Sequence, residues 1–483
     1  MSRIKVNTIN PFTGQNITLG GHVVPSGSNK TLGSEANAWG ELYVSTGSVN
    51  FVAPITLGQP TVVVATLRAG GEGNTAGVST GQIFTETNNS LRGSFSVGRN
   101  NRALGTASLA VGSINTASGD FSSAQGLGTR ASGAASHAEG GYTTALGPYS
   151  HAEGQATLAL GAGSHADGYN TTASGQYSYT RGETTLASGD YSHAEGRFTT
   201  ASGVGSHAEG GSTRALGTRS HAEGTGTIAF GDASHAEGNL ASASGDYSHA
   251  EGQQTFAQGQ HSHAEGNYTY ATGVGSHAEG QYANATGTYS HAEGLSTLAS
   301  GSYSHAEGNV TIASGSYSHA EGSNTIASGV GSHAEGLSTT ASGQGAHAEG
   351  SNTIASGQYS HAEGLQNLAS GNHSHAQGYL ATSSGANSFA SGLGVVATAS
   401  YQVVVGQYNT LTNTSSIFVV GAGVSNLRKD GFSVESDGTK AHIVIPANQQ
   451  LPNNPKQGSM FFNQDTNMLY IHNGTAWRSA SFS

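Results

Sequence analysis

Seventeen of the 22 histidines in this chain stand two residues before one kind of side chain: Glu in fifteen cases, Asp167 once and Gln377 once. On an extended strand, residues i and i+2 share a face. Each His-x-Glu therefore presents an imidazole beside a carboxylate, the donor set of a transition-metal site or of a general acid–base pair. Repetition argues against both. An active site needs one distinctive constellation in a pocket, whereas seventeen like pairs form a ladder. We read it as a structural His-to-Glu hydrogen-bond network across subunits, between chains or layers, that draws many of its histidines toward the charged form. No catalytic residue, metal ligand or cofactor is expected, and the chain is read as a non-enzyme. His261-Ser262-His263 and His373-Ser374-His375 form His-x-His pairs, but His261 and His373 fall at turns, so no ligand set is expected there either. No phosphate-cradling glycine loop and no Ser-His-Asp set stands apart from the repeat.

The elements that position these pairs follow from their spacing. The pentapeptide SHAEG, or a degenerate copy, begins every 14 residues from Ser94 to Ser388, giving 22 copies over residues 94–401 without insertion. Numbered from Ser136, position 1 is Ser in 21 copies, position 5 is Gly in all 22, position 10 is Ala in 21 and position 12 is Gly in 21. A period this strict makes each copy one coil stacked on the next. Positions 1–5 and 8–12 alternate small residues with others, which predicts two short strands per coil with Ser, Ala, Gly and Thr inside. Positions 6–7 and 13–14 then turn the chain. The expected fold is all-β, a parallel β-roll with small β modules at both ends. Glycine every seventh residue argues against helix.

Composition narrows function further. The chain has 483 residues, no Cys and a net charge of −12. Disulfides and thiol nucleophiles are excluded, and a nucleic-acid partner is not expected, since it needs a basic footprint. No apolar run is long enough for a spanning helix, and residues 1–7 open without an apolar signal region. The expectation is synthesis in a cytoplasm, without general export and without membrane insertion.

A core of Ala, Ser and Gly buries little apolar area, so burial must come from a second surface. Position 9 wanders among Arg102, Leu158, Phe256, Tyr270 and Asn284, as a solvent face does. Positions 2 and 4 scarcely vary, and they turn apolar at both ends of the array. The expected subunit interface therefore runs through Phe95, Val97, Leu109 and Val111. It continues along the ladder, for which His137, Glu139, His151, Glu153, His193, Glu195, His291, Glu293, His305, Glu307, His319 and Glu321 are representative, to Phe389, Val403 and Val405. Nine tyrosines at position 14, Tyr149 and Tyr401 among them, are read as packing over turns or a neighbouring chain rather than as a sugar platform.

The Ser-x-Ala-x-Gly…Ala-x-Gly pattern resembles the head repeat of trimeric autotransporter adhesins of the YadA type. The resemblance implies a left-handed parallel β-roll with three chains about one axis, positions 2 and 4 facing inward. It carries over at Val97, Val111, Val403 and Val405. It departs at the His/Glu copies, which implies a polar interior. The family's secretion signal, coiled-coil stalk and barrel anchor find no counterpart, which points away from autotransport.

The ends complete the expected organisation. Residues 1–93 are read as an attachment region. Leu32-Gly33-Ser34, Trp39 and Leu42-Tyr43-Val44 are similar to a segment of phage and large-virus structural proteins, and Val62–Val64 and Phe84 suggest strands. Residues 402–450 read as a β cap. Residues 451–483 resemble a small β module at the ends of phage tail-fibre and virion proteins, with a hairpin at Asn473-Gly474 and Tyr470 and Trp477 as candidate receptor contacts. The expected function is a homotrimeric virion fibre, with partners in a baseplate, tail or capsid protein and in a host-surface receptor, protein or glycan. A bacterial trimeric adhesin is the alternative. An ice-binding or carbohydrate-active solenoid fits less well, because position 9 is too irregular for a flat binding face.

Overall fold

In the computed structural model, residues 83–86 and 92–480 are described, save 412–414, 437–438, 445–446, 449–454 and 464. Every named element among them is a strand. Each coil carries a five-residue strand at positions 2–6, such as His291–Leu295, and a two-residue strand at positions 9–10, such as Leu298–Ala299. Long strands stack on long strands in parallel with a register of 14 residues, as in His291↔His305 and Glu293↔Glu307. Short strands form a second parallel ladder, from Arg102–Ala103 to Val396–Ala397. The chain is thus a parallel β-solenoid of 14-residue coils.

The first strand lies one position later than the alternation suggests and the second is shorter, for which hydrogen bonding shows the reason. The peptide N–H groups of Ser300 and Gly301 both donate to the Ala313 carbonyl, at 2.9 and 3.2 Å. The short ladder ends where two donors converge on one acceptor. The Ser304 N–H and hydroxyl then both donate to the Gly301 carbonyl, at 3.2 and 2.7 Å, closing the turn ahead of the long strand.

Positions 1, 3, 8, 10 and 12 point inward, as the alternation predicts for them. The alanines from Ala110 to Ala397 that fill positions 3 and 10 are fully buried. Side chains of one methyl let the two ladders approach closely, and the coils pack as tightly along the axis. A Cβ on Gly287 would lie 2.1 Å from the Gly301 carbonyl oxygen of the next coil. Corners at positions 7 and 14 take left-handed backbone even where the residue is not glycine, as at Ser296 (φ 57°) and Tyr303 (φ 58°). Their N–H groups donate to the preceding coil, Ser296 to Gln281 and Tyr303 to Thr288, both at 2.8 Å. The regular stack over-determines these conformations and offsets their strain.

The long ladder continues past residue 401. Val403–Gln407 pairs in register with Phe389–Leu393, and Ser416–Ala422 adds in parallel. Asp430–Ser436 and Ala441–Val444 then pair antiparallel. At the other end Ile83–Glu86, which contains Phe84, lies antiparallel on Arg92–Arg99. The last coil has larger buried side chains, Gln402, Val395 and Val404. A separate four-stranded sheet comprises Ala447–Asn448, Met460–Asn463, Met468–His472 and Trp477–Ala480. Its last two strands form the hairpin expected at Asn473-Gly474. The Asn473 Oδ1 atom accepts from the Thr475 and Ala476 N–H groups at 3.1 and 2.9 Å. The segments Leu32–Val44 and Val62–Val64 lie outside the described residues.

Candidate functional site

The long ladder fixes every position-2 side chain directly above the one 14 residues earlier. Strand spacing is about 4.8 Å, close to an aromatic stacking distance. Imidazoles so placed stack: from His193 to His361 consecutive ring centroids are 4.7–4.8 Å apart and nearly parallel. Tyr179 bridges the column edge-on between His165 and His193, at 5.1 and 4.7 Å. Phe389 closes it edge-on at 5.1 Å from His375. Seventeen histidines, Tyr179 and Phe389 form one continuous stack along one chain.

The carboxylates lie alongside. Within one coil, His Nε2 and Glu Oε2 are 3.1 Å apart at His137–Glu139 and 3.5 Å at His151–Glu153. At His235–Glu237 and His277–Glu279 they are 3.9 Å apart. Only the first is a hydrogen bond. Near the C-terminal end His361 and His375 also approach the carboxylate of the preceding coil, Glu349 at 3.9 Å and Glu363 at 3.6 Å. The Nε2 atoms of all the column histidines except His137 are buried yet without a hydrogen-bond partner. Arg181, which replaces the carboxylate in its coil, reaches Asp167 at 3.7 Å.

For seven of the column histidines the direction of titration is opposite to the one expected. Burial first, and the adjacent imidazoles second, hold His151, His207, His235, His263, His291, His319 and His361 below the ordinary imidazole range. The neighbouring carboxylates pull the other way and are outweighed. Desolvation disfavours the charged form of a histidine, and a cation at 4.7 Å disfavours a second one. These seven favour neutral imidazole, not imidazolium. Within the chain, the ladder contacts other than His137–Glu139 stand at ion-pair distances.

The remaining interface candidates line the same face. Phe95 and Val97 are exposed, at 45% and 40%. Leu109, Val111, Phe389, Val403 and Val405 are half-buried, as are the column histidines, while the glutamates range from half-buried to exposed. In the C-terminal sheet Tyr470 and Trp477 are both half-buried. The Trp477 ring packs 6.0 Å from Phe461 and 5.3 Å from His472, so it serves that sheet's own packing. His261 sits at its turn, stacked on Tyr247 at 5.0 Å, away from the column that holds His263. Tyr289, Tyr303 and Tyr317 stack on one another at 5.4 and 5.1 Å. A Cβ on Gly275 would meet the Tyr289 ring at 2.5 Å, so that ring covers the preceding turn.

One device was invisible to the strand pattern. Asn115, fully buried at position 8, donates to the Val111 and Gly126 carbonyls at 2.6 and 2.8 Å. Its Oδ1 accepts from the Thr129 N–H and hydroxyl, both at 2.8 Å. Asn367 and Asn409 make related bonds. Asn in place of Thr at position 8 was the available signal.

Against known families, the YadA head domain repeat matches at residues 103–129, 124–150, 152–178, 208–234, 320–346, 334–360 and 369–394. No curated protein matches the chain. The solenoid therefore carries YadA-type head repeats, the repeat of an adhesin-type fibre, and such repeats on a β-solenoid are typically structural.

Proposed function

From a roll of YadA-type head repeats, we propose that the chain is a homotrimeric fibre of a phage or virus particle, projecting from the virion and presenting its C-terminal module to a host surface. The observation that carries the trimer is the position-2 and position-4 face. It is one continuous stack of half-buried rings that passes into exposed or half-buried Phe95, Val97, Val403 and Val405 at its ends. A stripe of half-buried rings of this length on one chain, flanked by apolar residues near both ends, supports an interaction surface. Three such stripes about an axis cover one another and leave the irregular position-9 face to solvent. With a rise of about 4.8 Å per coil, the roll is about 100 Å long. The virion setting is supported by the resemblance of both ends to phage and virus structural segments. In this reading the protein sits on the particle, assembled in the host cytoplasm, with the N-terminal region on a baseplate, tail or capsid protein.

Multi-angle light scattering on the purified chain should return a mass of three chains, and a stable monomer overturns the interface. Electron microscopy of particles and cells labelled with antibodies to residues 1–93 and 402–483 tests the setting. Label on virions supports it. Label confined to a bacterial surface replaces it with the trimeric adhesin of a cell.

A further inference from the structure

The ladder leaves a chemical question that its packing does not answer. Fifteen glutamates and an aspartate stand beside imidazoles, yet nearly all these pairs are too far apart to hydrogen-bond. At 3.8–3.9 Å, the Nε2–Oε2 separations at His221–Glu223, His249–Glu251 and His277–Glu279 exceed the 2.7–3.2 Å of an N–H···O bond. They lie near the roughly 3.4 Å between two ligand atoms on one tetrahedral ion with bonds of about 2.0–2.2 Å.

We infer that the ladder binds divalent transition-metal ions of the zinc class, each held by the His and Glu of one coil together with the His of the next. The triads are repeated: His235, Glu237 and His249; His249, Glu251 and His263; His263, Glu265 and His277; His277, Glu279 and His291. In each, the three ligand atoms lie within 4.8 Å of one another. The Nε2 atoms in question are the buried, unpartnered ones. An orphaned buried acceptor beside a carboxylate is what a bound cation satisfies. Imidazole with carboxylate suits zinc, nickel or copper, whereas calcium and magnesium take all-oxygen sites.

Two parallel rings cannot both aim a lone pair at one ion. The second histidine of each triad must turn about its terminal side-chain torsion, which is a soft one. Each histidine also belongs to two successive triads. Occupying one triad therefore empties the next, and the ladder saturates at about one ion per two coils. All ligands come from a single chain, so the inference stands apart from the proposed assembly.

The untagged full chain, stripped with EDTA and dialysed against zinc chloride, should take up several zinc ions per chain by elemental analysis, and none of calcium or magnesium above background. A combined variant, Glu251→Gln, Glu265→Gln and Glu279→Gln with His263→Gln and His277→Gln, should lose about two of them while keeping its circular dichroism spectrum in EDTA. Should that variant fail to fold, the wild-type protein still decides. Cobalt substitution should give visible absorption bands of tetrahedral intensity, and X-ray absorption should show imidazole nitrogen on the ion. Uptake below one zinc per chain, equal uptake of calcium, or an unchanged count in the folded variant overturns the inference.

Discussion

Three glycines within eight residues separate the two reasons a coil needs glycine. Gly329 has ordinary backbone, but a Cβ there would lie 1.9 Å from the Gly343 carbonyl oxygen. Gly331 has φ +64° and nothing within 4 Å of a Cβ. Gly336 has φ +106° and would place a Cβ 2.2 Å from the Gly350 oxygen. Gly331→Ala meets only the left-handed penalty of about 1–2 kcal/mol, partly offset by about 0.4–1 kcal/mol from a stiffer unfolded chain. Its corner already holds Tyr317 at φ 60° one coil earlier. Gly329→Ala must push a backbone oxygen that belongs to the ladder, an overpacking cost of about 1–3 kcal/mol. Gly336→Ala combines that clash with a backbone angle that L-residues avoid, about 3–5 kcal/mol together. At about 2 °C per kcal/mol for a domain of this size, calorimetry should show melting shifts of about 2 °C or less for Gly331→Ala. About 2–6 °C is expected for Gly329→Ala and about 6–10 °C for Gly336→Ala. Because each coil contacts only its neighbours, limited proteolysis of the last variant should open new cleavage close to residue 336. Equal shifts for Gly331→Ala and Gly336→Ala would refute the coil geometry.

Acid should weaken the roll. The seven column histidines with lowered folded values favour the neutral form. Their contribution is complete above the unfolded value near 6.5 and is lost as pH falls through the folded values. Melts in EDTA should thus be flat from about pH 9 to 7 and decline below about 6.5, and a melting temperature that rises on acidification contradicts the column's environment. Asn115→Ala strands two carbonyls and an N–H, and denaturation should show a loss of about 2–4 kcal/mol. Thr297→Val at the same register should be neutral or stabilising, because the Thr297 hydroxyl is buried without a partner; a loss above about 1 kcal/mol argues against that burial. Deleting residues 290–303, one whole coil, should leave a shorter rod by electron microscopy. Deleting residues 290–296 should abolish assembly, since it sets the Thr-x-Ala-x-Gly half-coil where the His–Glu strand belongs.

The period, the inward positions and the parallel stacking were legible because they depend on side-chain size alone, and small residues fill nearly every inward position. Strand limits were not. They depend on where two N–H groups converge on one carbonyl, as Ser300 and Gly301 do, and no residue type reports that. The last coil escaped the repeat because Gln402 stands for Ser and Val404 for Ala. Gln402 Oε1 accepts from the Thr398 N–H at 2.8 Å and so remakes the turn by other means. Histidine charge was misread for a related reason. Sequence shows the carboxylate two residues away, but not the ring 14 residues away that stacks at 4.7 Å and removes water.

The long ladder stops at both ends, and the short ladder at its C-terminal end, in ways that disfavour addition of another coil. A parallel stack is a template: its terminal strand offers free donors and acceptors to any chain of like period, which is how edge strands seed aggregates. Here Ile83–Glu86 runs antiparallel across one end of the long ladder, and Asp430–Ser436 and Ala441–Val444 reverse direction at the other. The short ladder ends on a single side chain. Asn409 accepts from the Val396 N–H at 2.7 Å and donates to the Val396 carbonyl at 2.9 Å, the two bonds the next short strand would have made. Among the described residues, a 14-residue coil therefore meets no parallel edge at either end of the long ladder or at the C-terminal end of the short one. Addition of a further parallel coil is disfavoured there, and the length of the roll follows from the number of repeats, in steps of one coil.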